Sequence, residues 1–222
     1  MSWRYTSLMD TQVLQTLEAF FSKYTRKKLD TGEILIAAQD EPTGVFFLKE
    51  GLVRMYSISL EGGEVTLNVF KPESFFPVSW VINNSKNPYY YEALLPSLVY
   101  IAPKKDFLGF LKKDSTILFD LLKRIYKGLD GFFVRMEALM IGNARVRVVT
   151  EILIMSRRFG NTNKSGRSTF KVSEKEIAAA TGIARETVSR EFNKLKKEGL
   201  LDFKQGQLTV NGIKKLEDCL FL

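Results

Sequence analysis

A chain of 222 residues and 25.4 kDa, 45% apolar and 26% charged, can bury one large core or two small ones and is too apolar for wholesale disorder. It holds one cysteine, Cys219, and no histidine, which excludes an intrachain disulfide framework, a cysteine-held zinc or iron–sulfur centre within the chain, histidine-ligated metal or haem, and Ser-His or Cys-His catalysis. The net charge of +8 is uneven, with seventeen basic against sixteen acidic residues up to Gly142 and sixteen against nine after it, so the last part of the chain carries +7, which suits nucleic acid, an anionic membrane surface or plain solvation.

No run of 18 uninterrupted apolar residues is present, and Met1-Ser2-Trp3-Arg4-Tyr5-Thr6 lacks the charged, apolar, small-residue order of a secretory signal. A cytoplasmic protein without membrane association is expected. The first 25 residues read as a helical lead-in, with Leu14, Leu17, Phe20 and Phe21 at helical spacing. From Arg26 to Phe107 the pattern changes to short apolar, β-branched and aromatic runs at 34–38, 44–48, 52–58, 65–70 and 94–101. Between them stand Asp30-Thr31-Gly32, Asp40-Glu41-Pro42, Glu50-Gly51 and Glu61-Gly62-Gly63-Glu64, where glycine supplies positive φ and acidic residues favour turns. This predicts an antiparallel β domain, barrel or sandwich. Its carboxylates are scattered, and no pair is placed for acid–base catalysis, so no enzyme and no cofactor are expected.

Next, Leu118, Leu122, Ile125, Leu129, Phe132, Met136 and Leu139 alternate steps of four and three, the pattern of a coiled-coil seam. At 1.5 Å per residue, residues 118–143 span about 39 Å, more than a small β domain needs. Sustained heptads favour a two-stranded dimer, while a core helix packed on its own barrel is the plainer alternative. Gly128 and Gly131 each weaken the helix by roughly 1 kcal/mol relative to alanine, and either allow close approach of two backbones or mark a bend.

After Ile141-Gly142-Asn143, the residues Val146, Val149, Ile152, Leu153 and Met155 predict another helix, ending at Phe159-Gly160. Residues 161–168 read as an exposed polar loop. Ser173-Glu174-Lys175-Glu176 fits a capping box opening a helix over 174–181. Gly182 breaks that helix, Ile183 can plug the core, and a further helix starts near Ala184. Helix, glycine-containing turn, helix is the arrangement that lays one helix in a DNA major groove and braces it with the other.

On the second of these helices, Val188, Phe192 and Leu195 form the face to be buried. Glu186, Ser189, Arg190 and Asn193 form the opposite face, with Arg185 beside them. Arginine can donate twice to guanine O6 and N7, glutamate can accept from cytosine N4, and a hydroxyl can serve either role. Lys194, Lys196 and Lys197 lie further along, where phosphate contact or solvation is expected. Glu198-Gly199 stops the helix, and 200–204 with 207–210 can pair across Gln205-Gly206 as the wing of a winged helix-turn-helix.

The run Gly182-Ile183-Ala184-Arg185-Glu186-Thr187-Val188-Ser189-Arg190, followed by Leu195 and Lys197-Glu198-Gly199-Leu200-Leu201, closely resembles the recognition segment of the Crp/Fnr family of bacterial transcription regulators. The segments Leu48-Lys49-Glu50-Gly51-Leu52-Val53-Arg54-Met55-Tyr56 and Gly62-Gly63-Glu64-Val65-Thr66-Leu67 are similar to that family's cyclic-nucleotide-binding-type β-roll. The resemblance implies an α+β chain in three parts: a sensor β-roll of the double-stranded β-helix type with its lead-in over 1–114, a dimerisation helix over 115–142, and a winged helix-turn-helix over 143–222. It implies a homodimer on double-stranded DNA with a near-palindromic operator, and contact with RNA polymerase. Arg185, Glu186, Ser189 and Arg190 align with the family's base readers, Ser173 and Lys175 with positions that help to hold phosphate, and the heptad helix with the dimer interface.

Two departures stand out. The family usually has serine or threonine where this chain has Ala184, a lost cap worth roughly 1 kcal/mol. Cyclic-nucleotide-binding members use a Gly-Glu pair and an Arg-Ser or Arg-Thr pair, where this chain has Phe75-Phe76-Pro77-Val78-Ser79 and Tyr89-Tyr90-Tyr91-Glu92-Ala93. No arginine lies between Arg54 and Arg124, so the two-armed phosphate contact is missing and cyclic AMP is not expected to bind in the usual way. Phe75, Phe76, Trp80, Tyr89, Tyr90 and Tyr91 either line an apolar cavity for an unidentified small-molecule effector or simply fill the roll. Tyr90 is expected to point opposite to Tyr89 and Tyr91. The competing functional reading is a small-molecule-binding module whose basic C-terminal region serves protein interaction.

Overall fold

The structure, a computed structural model, describes residues 10–60, 62–163 and 165–220. The first nine residues of the expected lead-in, Glu61 of its turn and Lys164 of the polar loop lie outside the described residues. The chain divides into two compact units, one reaching to Arg124 and the other starting at Ile125.

In the first unit, α1 (Thr11–Phe21) is capped by the Asp10 carboxylate, which accepts from the Gln12 amide at 2.8 Å, and buries Val13, Leu17 and Phe21. The strands are β1 (Thr25–Leu29), β2 (Ile34–Ile36), β3 (Val45–Glu50), β4 (Val53–Ile58), β5 (Glu64–Phe70), β6 (Phe75–Phe76), β7 (Tyr90–Ala93) and β8 (Ser97–Ala102), with α2 (Val78–Asn83) between β6 and β7. They form two antiparallel sheets, ordered β1-β8-β3-β6 and β2-β7-β4-β5, and the chain passes back and forth between them. This is the expected β-roll.

β3 shows why the roll holds together. Its apolar run is buried on both faces, and side chains on a strand alternate sides. Phe46 and Leu48 meet Leu29, Ile36, Val53, Phe76, Tyr91 and Val99 in one core. Val45 and Phe47 meet Leu17, Phe21, Phe107, Leu111, Ile117 and Leu121 in another. A fully buried phenylalanine contributes about 1.5–3 kcal/mol, and Phe21, Phe46, Phe47, Phe76 and Phe107 are all in that state.

Several elements differ from the sequence-based expectation. β1 carries Arg26, Lys27 and Lys28, has no apolar alternation, and sits at a sheet edge, where charge is tolerated. α2 and α3 (Lys104–Lys113) are short helices within the stretch read as β-rich or its border, anchored by Trp80 and Val81 and by Phe107 and Leu111. α4 (Ser115–Ile141) follows.

In the second unit, α5 (Ala144–Phe159) starts at Asn143, whose side chain accepts from the Val146 amide at 3.0 Å. The stretch expected as a plain loop carries strand pairing at its two ends. β9 (Asn161–Thr162) pairs with β10 (Ser168–Lys171). Asn163 Oδ1 accepts from the amides of Ser165 and Arg167, which tightens the turn, and Ser168 is buried. Then come α6 (Glu174–Thr181), α7 (Arg185–Lys197), β11 (Leu201–Lys204), β12 (Gln207–Val210) and α8 (Ile213–Asp218). The wing hairpin is half of a four-stranded sheet, β11-β12-β10-β9. Val149, Ile152, Phe170, Ile177, Val188, Phe192, Leu195, Leu208 and Val210 share the core. No helix of the described residues is long and apolar enough to cross a membrane.

Candidate nucleic-acid interface

The corner between α6 and α7 is set by local chemistry. The Ser173 hydroxyl accepts from the Glu176 amide at 3.1 Å, and the Ser173 amide donates to Glu176 Oε2 at 2.6 Å, so the capping box is complete. α6 ends on Gly182 at φ +65, left-handed backbone that favours glycine. Ile183 packs part-buried against the core. α7 begins at Ala184 with no side-chain cap.

Val188, Phe192 and Leu195 are buried, as their spacing predicts, and Glu191 joins them, its carboxylate 2.7 Å from Lys194 Nζ. Arg185, Glu186, Arg190 and Asn193 are exposed, and Ser189 is half-buried. Arg190 Nη2 donates to the Thr187 hydroxyl at 3.0 Å. Lys196 stands 3.9 Å from Asp202, and Lys197 is exposed. Of the two residues aligned with phosphate-holding positions, Lys175 is exposed, whereas the Ser173 hydroxyl already donates to Glu176 Oε2 at 2.7 Å.

The wing turns at Gln205-Gly206, as the sequence predicts, and adds contacts that the sequence reading misses. Gln205 and Gly206 both have positive φ, 49 and 73, the two-residue hairpin turn that matches strand twist. The Gly206 carbonyl accepts from the Val172 amide at 3.0 Å, which ties the wing tip to the start of α6. In the sheet, Gln207 stands opposite Lys171 on one side and Lys204 on the other, and all three are exposed. Two lysines therefore flank one glutamine beside the helix-turn-helix.

On α4, Ile117 and Leu121 are buried in the first unit's core, while Leu118, Leu122, Ile125, Leu129, Phe132 and Met136 are 38–50% exposed and Leu139 is half-buried. The helix thus uses one face for its own core and leaves the heptad face open. Phe119, Tyr126, Phe133 and Met140, one residue further round at intervals of seven, are 57–75% exposed. The helix runs unbroken through Gly128 and Gly131, and a Cβ at either would meet nothing within 4 Å in the chain.

The six aromatic residues of the expected effector pocket do not gather around one space. Phe75 and Trp80 belong to the core beneath the helices, and Phe76, Tyr89 and Tyr91 to the core inside the roll; Phe75 and Phe76 part because neighbours on a strand face opposite ways. Phe76 and Tyr91 stack with centroids 5.3 Å apart, and burial pushes the Tyr91 phenol up. Tyr90 points the other way and stacks on Tyr56 at 5.2 Å. The Arg54 guanidinium lies 4.0 Å over Tyr56, with Nη2 2.7 Å from Glu92 and Nη1 2.8 Å from Glu64.

A family model described as a cyclic nucleotide-binding domain matches residues 26–114, and one described as a Crp-like helix-turn-helix domain matches residues 146–219. The transcriptional regulator SdrP of Thermus thermophilus is 27% identical over 169 residues, covering 76% of this chain and 80% of its own. The cyclic AMP receptor protein of the same organism is 22% identical over 93% of both chains. Among solved structures, a CooA mutant from Carboxydothermus hydrogenoformans matches with a TM-score of 0.79 at 21% identity, over 98% of both chains.

Proposed function

The chain belongs to the Crp/Fnr family of transcription regulators, and from that premise we propose that it works in the cytoplasm as a homodimer that reads a near-palindromic operator. Arg185, Glu186, Ser189 and Arg190 read base edges, and Lys175, Lys171 and Lys204 meet phosphates on either side. The observation that carries this reading is the two-faced α7, buried through Val188, Phe192 and Leu195 and open through Arg185, Glu186 and Arg190. Base-reading side chains act from the first turns of a recognition helix, and these are the turns that α7 leaves free.

The open heptad face of α4 supports the dimer, since seven apolar side chains at coiled-coil spacing are best covered by the same face of a second copy. Contact with RNA polymerase belongs to the same reading, as the step by which a bound regulator acts.

The β-roll serves as a sensor unit that does not hold cyclic AMP in the family's usual way. Arg54 already spends its donors on Glu92 and Glu64, and the cassette stretches 75–79 and 89–93 contain no arginine. Aromatic rings that pack in two cores favour filling over an effector cavity.

Selection of bound duplexes from a random pool tests the proposal. A two-fold symmetric site is expected, with half-site centres about 34 Å apart. A pool that stays unenriched, or a site with a single half, overturns it.

A further inference from the structure

Between α4 and α5 the chain turns at Gly142-Asn143, and the corner is filled by specific contacts. Arg135, near the end of α4, reaches Glu151 on α5 through two parallel bonds, Nε to Oε2 and Nη2 to Oε1, both 2.9 Å. The Glu151 side chain is 4% exposed and that of Arg135 24%. Arg147 Nε donates to the Gly142 carbonyl at 3.0 Å. A Cβ on Gly142 would stand 2.4 Å from the Ala138 carbonyl oxygen and 2.8 Å from Val146 Cγ1, so the corner accepts nothing larger without shifting. Thr150, Glu151, Ala180 and Thr181 line a small cleft with Arg135 and Ala138, which places α6 against the same corner.

A two-armed guanidinium–carboxylate pair fixes a plane as well as a distance. Burying such a pair adds little stability compared with apolar side chains of the same volume. Its advantage here is direction. α5 is 16 residues long, about 24 Å at 1.5 Å per residue. A tilt of about 8° at the corner would carry its far end about 3.4 Å, the rise of one base pair.

We propose that Arg135 and Glu151 are positioning residues for operator reading: their fork sets the angle between the dimer helix and the recognition helix, and thereby the half-site spacing that the dimer accepts. The inference rests on the dimeric-reader proposal above. Arg158 lies in the same environment, its guanidinium held below the usual range by burial and then by the charge of Arg135. A second cation therefore stays near Glu151 when Arg135 is altered.

The test uses the full-length protein, half-sites taken from the selected pool, and operators with the selected spacing or one base pair more or less. Two variants separate orientation from folding: Arg135→Lys, which keeps the charge and loses the fork, and the double change Arg135→Met with Glu151→Leu, which removes both charges and keeps the volume. Melting followed by circular dichroism checks that each folds. The wild type is expected to prefer its own spacing by about tenfold, and both variants by less than about threefold, with half-site affinity held within about twofold. Variants that keep the wild-type preference overturn the inference, as does a wild type that binds half-sites specifically but is indifferent to spacing. A wild type that selects no sequence at all overturns the reader proposal itself, and this inference with it.

Discussion

Arg190 Nη2 lies 3.0 Å from the hydroxyl of Thr187, one turn earlier on α7. The bond holds a long exposed side chain along the helix, so less rotamer freedom remains to be lost in the base contact proposed for this guanidinium. Arg190→Ala is expected to cost roughly 1–3 kcal/mol at the preferred operator and almost nothing on unrelated duplexes. Thr187→Val, which keeps shape and removes the acceptor, should cost about 0.5–1 kcal/mol. Titration against matched and scrambled duplexes measures both, and equal losses on the two would contradict base reading by Arg190.

Ala184 already has extended N-cap backbone, with φ −63 and ψ 144, and its carbonyl accepts from the amides of Thr187 and Val188. Only the side-chain oxygen is missing. Ala184→Ser should therefore stabilise the folded chain by about 1 kcal/mol, read as a higher denaturant midpoint at constant slope. An unchanged midpoint would mean that the α7 start is already satisfied.

The helix-turn-helix is legible in the sequence because independent local signals coincide there: the Ser173/Glu176 box, the left-handed Gly182 and the spacing of Val188, Phe192 and Leu195. β1 is not legible, because Arg26, Lys27 and Lys28 look like loop residues until the pairing with 97–101 is known. The heptad of α4 can be read directly, but not that Ile117 and Leu121, one residue earlier, are the pair turned toward the core. In the interface, the open face of α7 follows from periodicity. The row Lys171-Gln207-Lys204 does not, since it depends on the register of two strand pairs more than thirty residues apart and three apart in turn. The two readings of the rings, cavity or filling, stay open in the sequence because it places them close together along the chain, while strand alternation sends Phe75 and Phe76 into different cores.

The seam on α4 gives a prediction about assembly. Ile125 is 48% exposed in the single chain and stands mid-seam. Covering the half that is still exposed is worth about 1 kcal/mol in each copy, and Ile125→Lys would place two like charges against each other. Sedimentation at micromolar concentration should show a dimer for the wild type and a monomer for the variant, with circular dichroism unchanged. A wild-type monomer would count against the seam as an interface.

The rings inside the roll predict a cost that is independent of any effector. Phe76 is 1% exposed and stacks with Phe70 at 4.5 Å and Tyr91 at 5.3 Å. Phe76→Ala should lower stability by about 3–5 kcal/mol. Cyclic AMP added to the wild type should leave the melting temperature where it was, since anything that binds the folded state preferentially would raise it. A rise with the nucleotide would reinstate a phosphate contact that no arginine of the cassette supplies.

Arg145 at the start of α5 holds Glu198 at the end of α7 by two bonds, Nη1 to Oε1 at 2.8 Å and Nη2 to Oε2 at 2.6 Å. The hydrogen bonds from Arg145 hold the Glu198 carboxyl below its ordinary value of 4.5. A carboxyl depressed in the folded state contributes stability that is fully present above its unfolded value and is lost as pH falls through the folded one. Glu198 is 44% exposed, and water screens the pair, so the contribution is at most about 1 kcal/mol. Glu198→Gln should therefore melt slightly below the wild type at neutral pH, and the gap should narrow as the pH drops below 4.5. High salt at neutral pH should narrow it in the same way, because both arms face solvent. A gap that stays constant through the acid range would mean that Glu198 acts through packing, not through its charge.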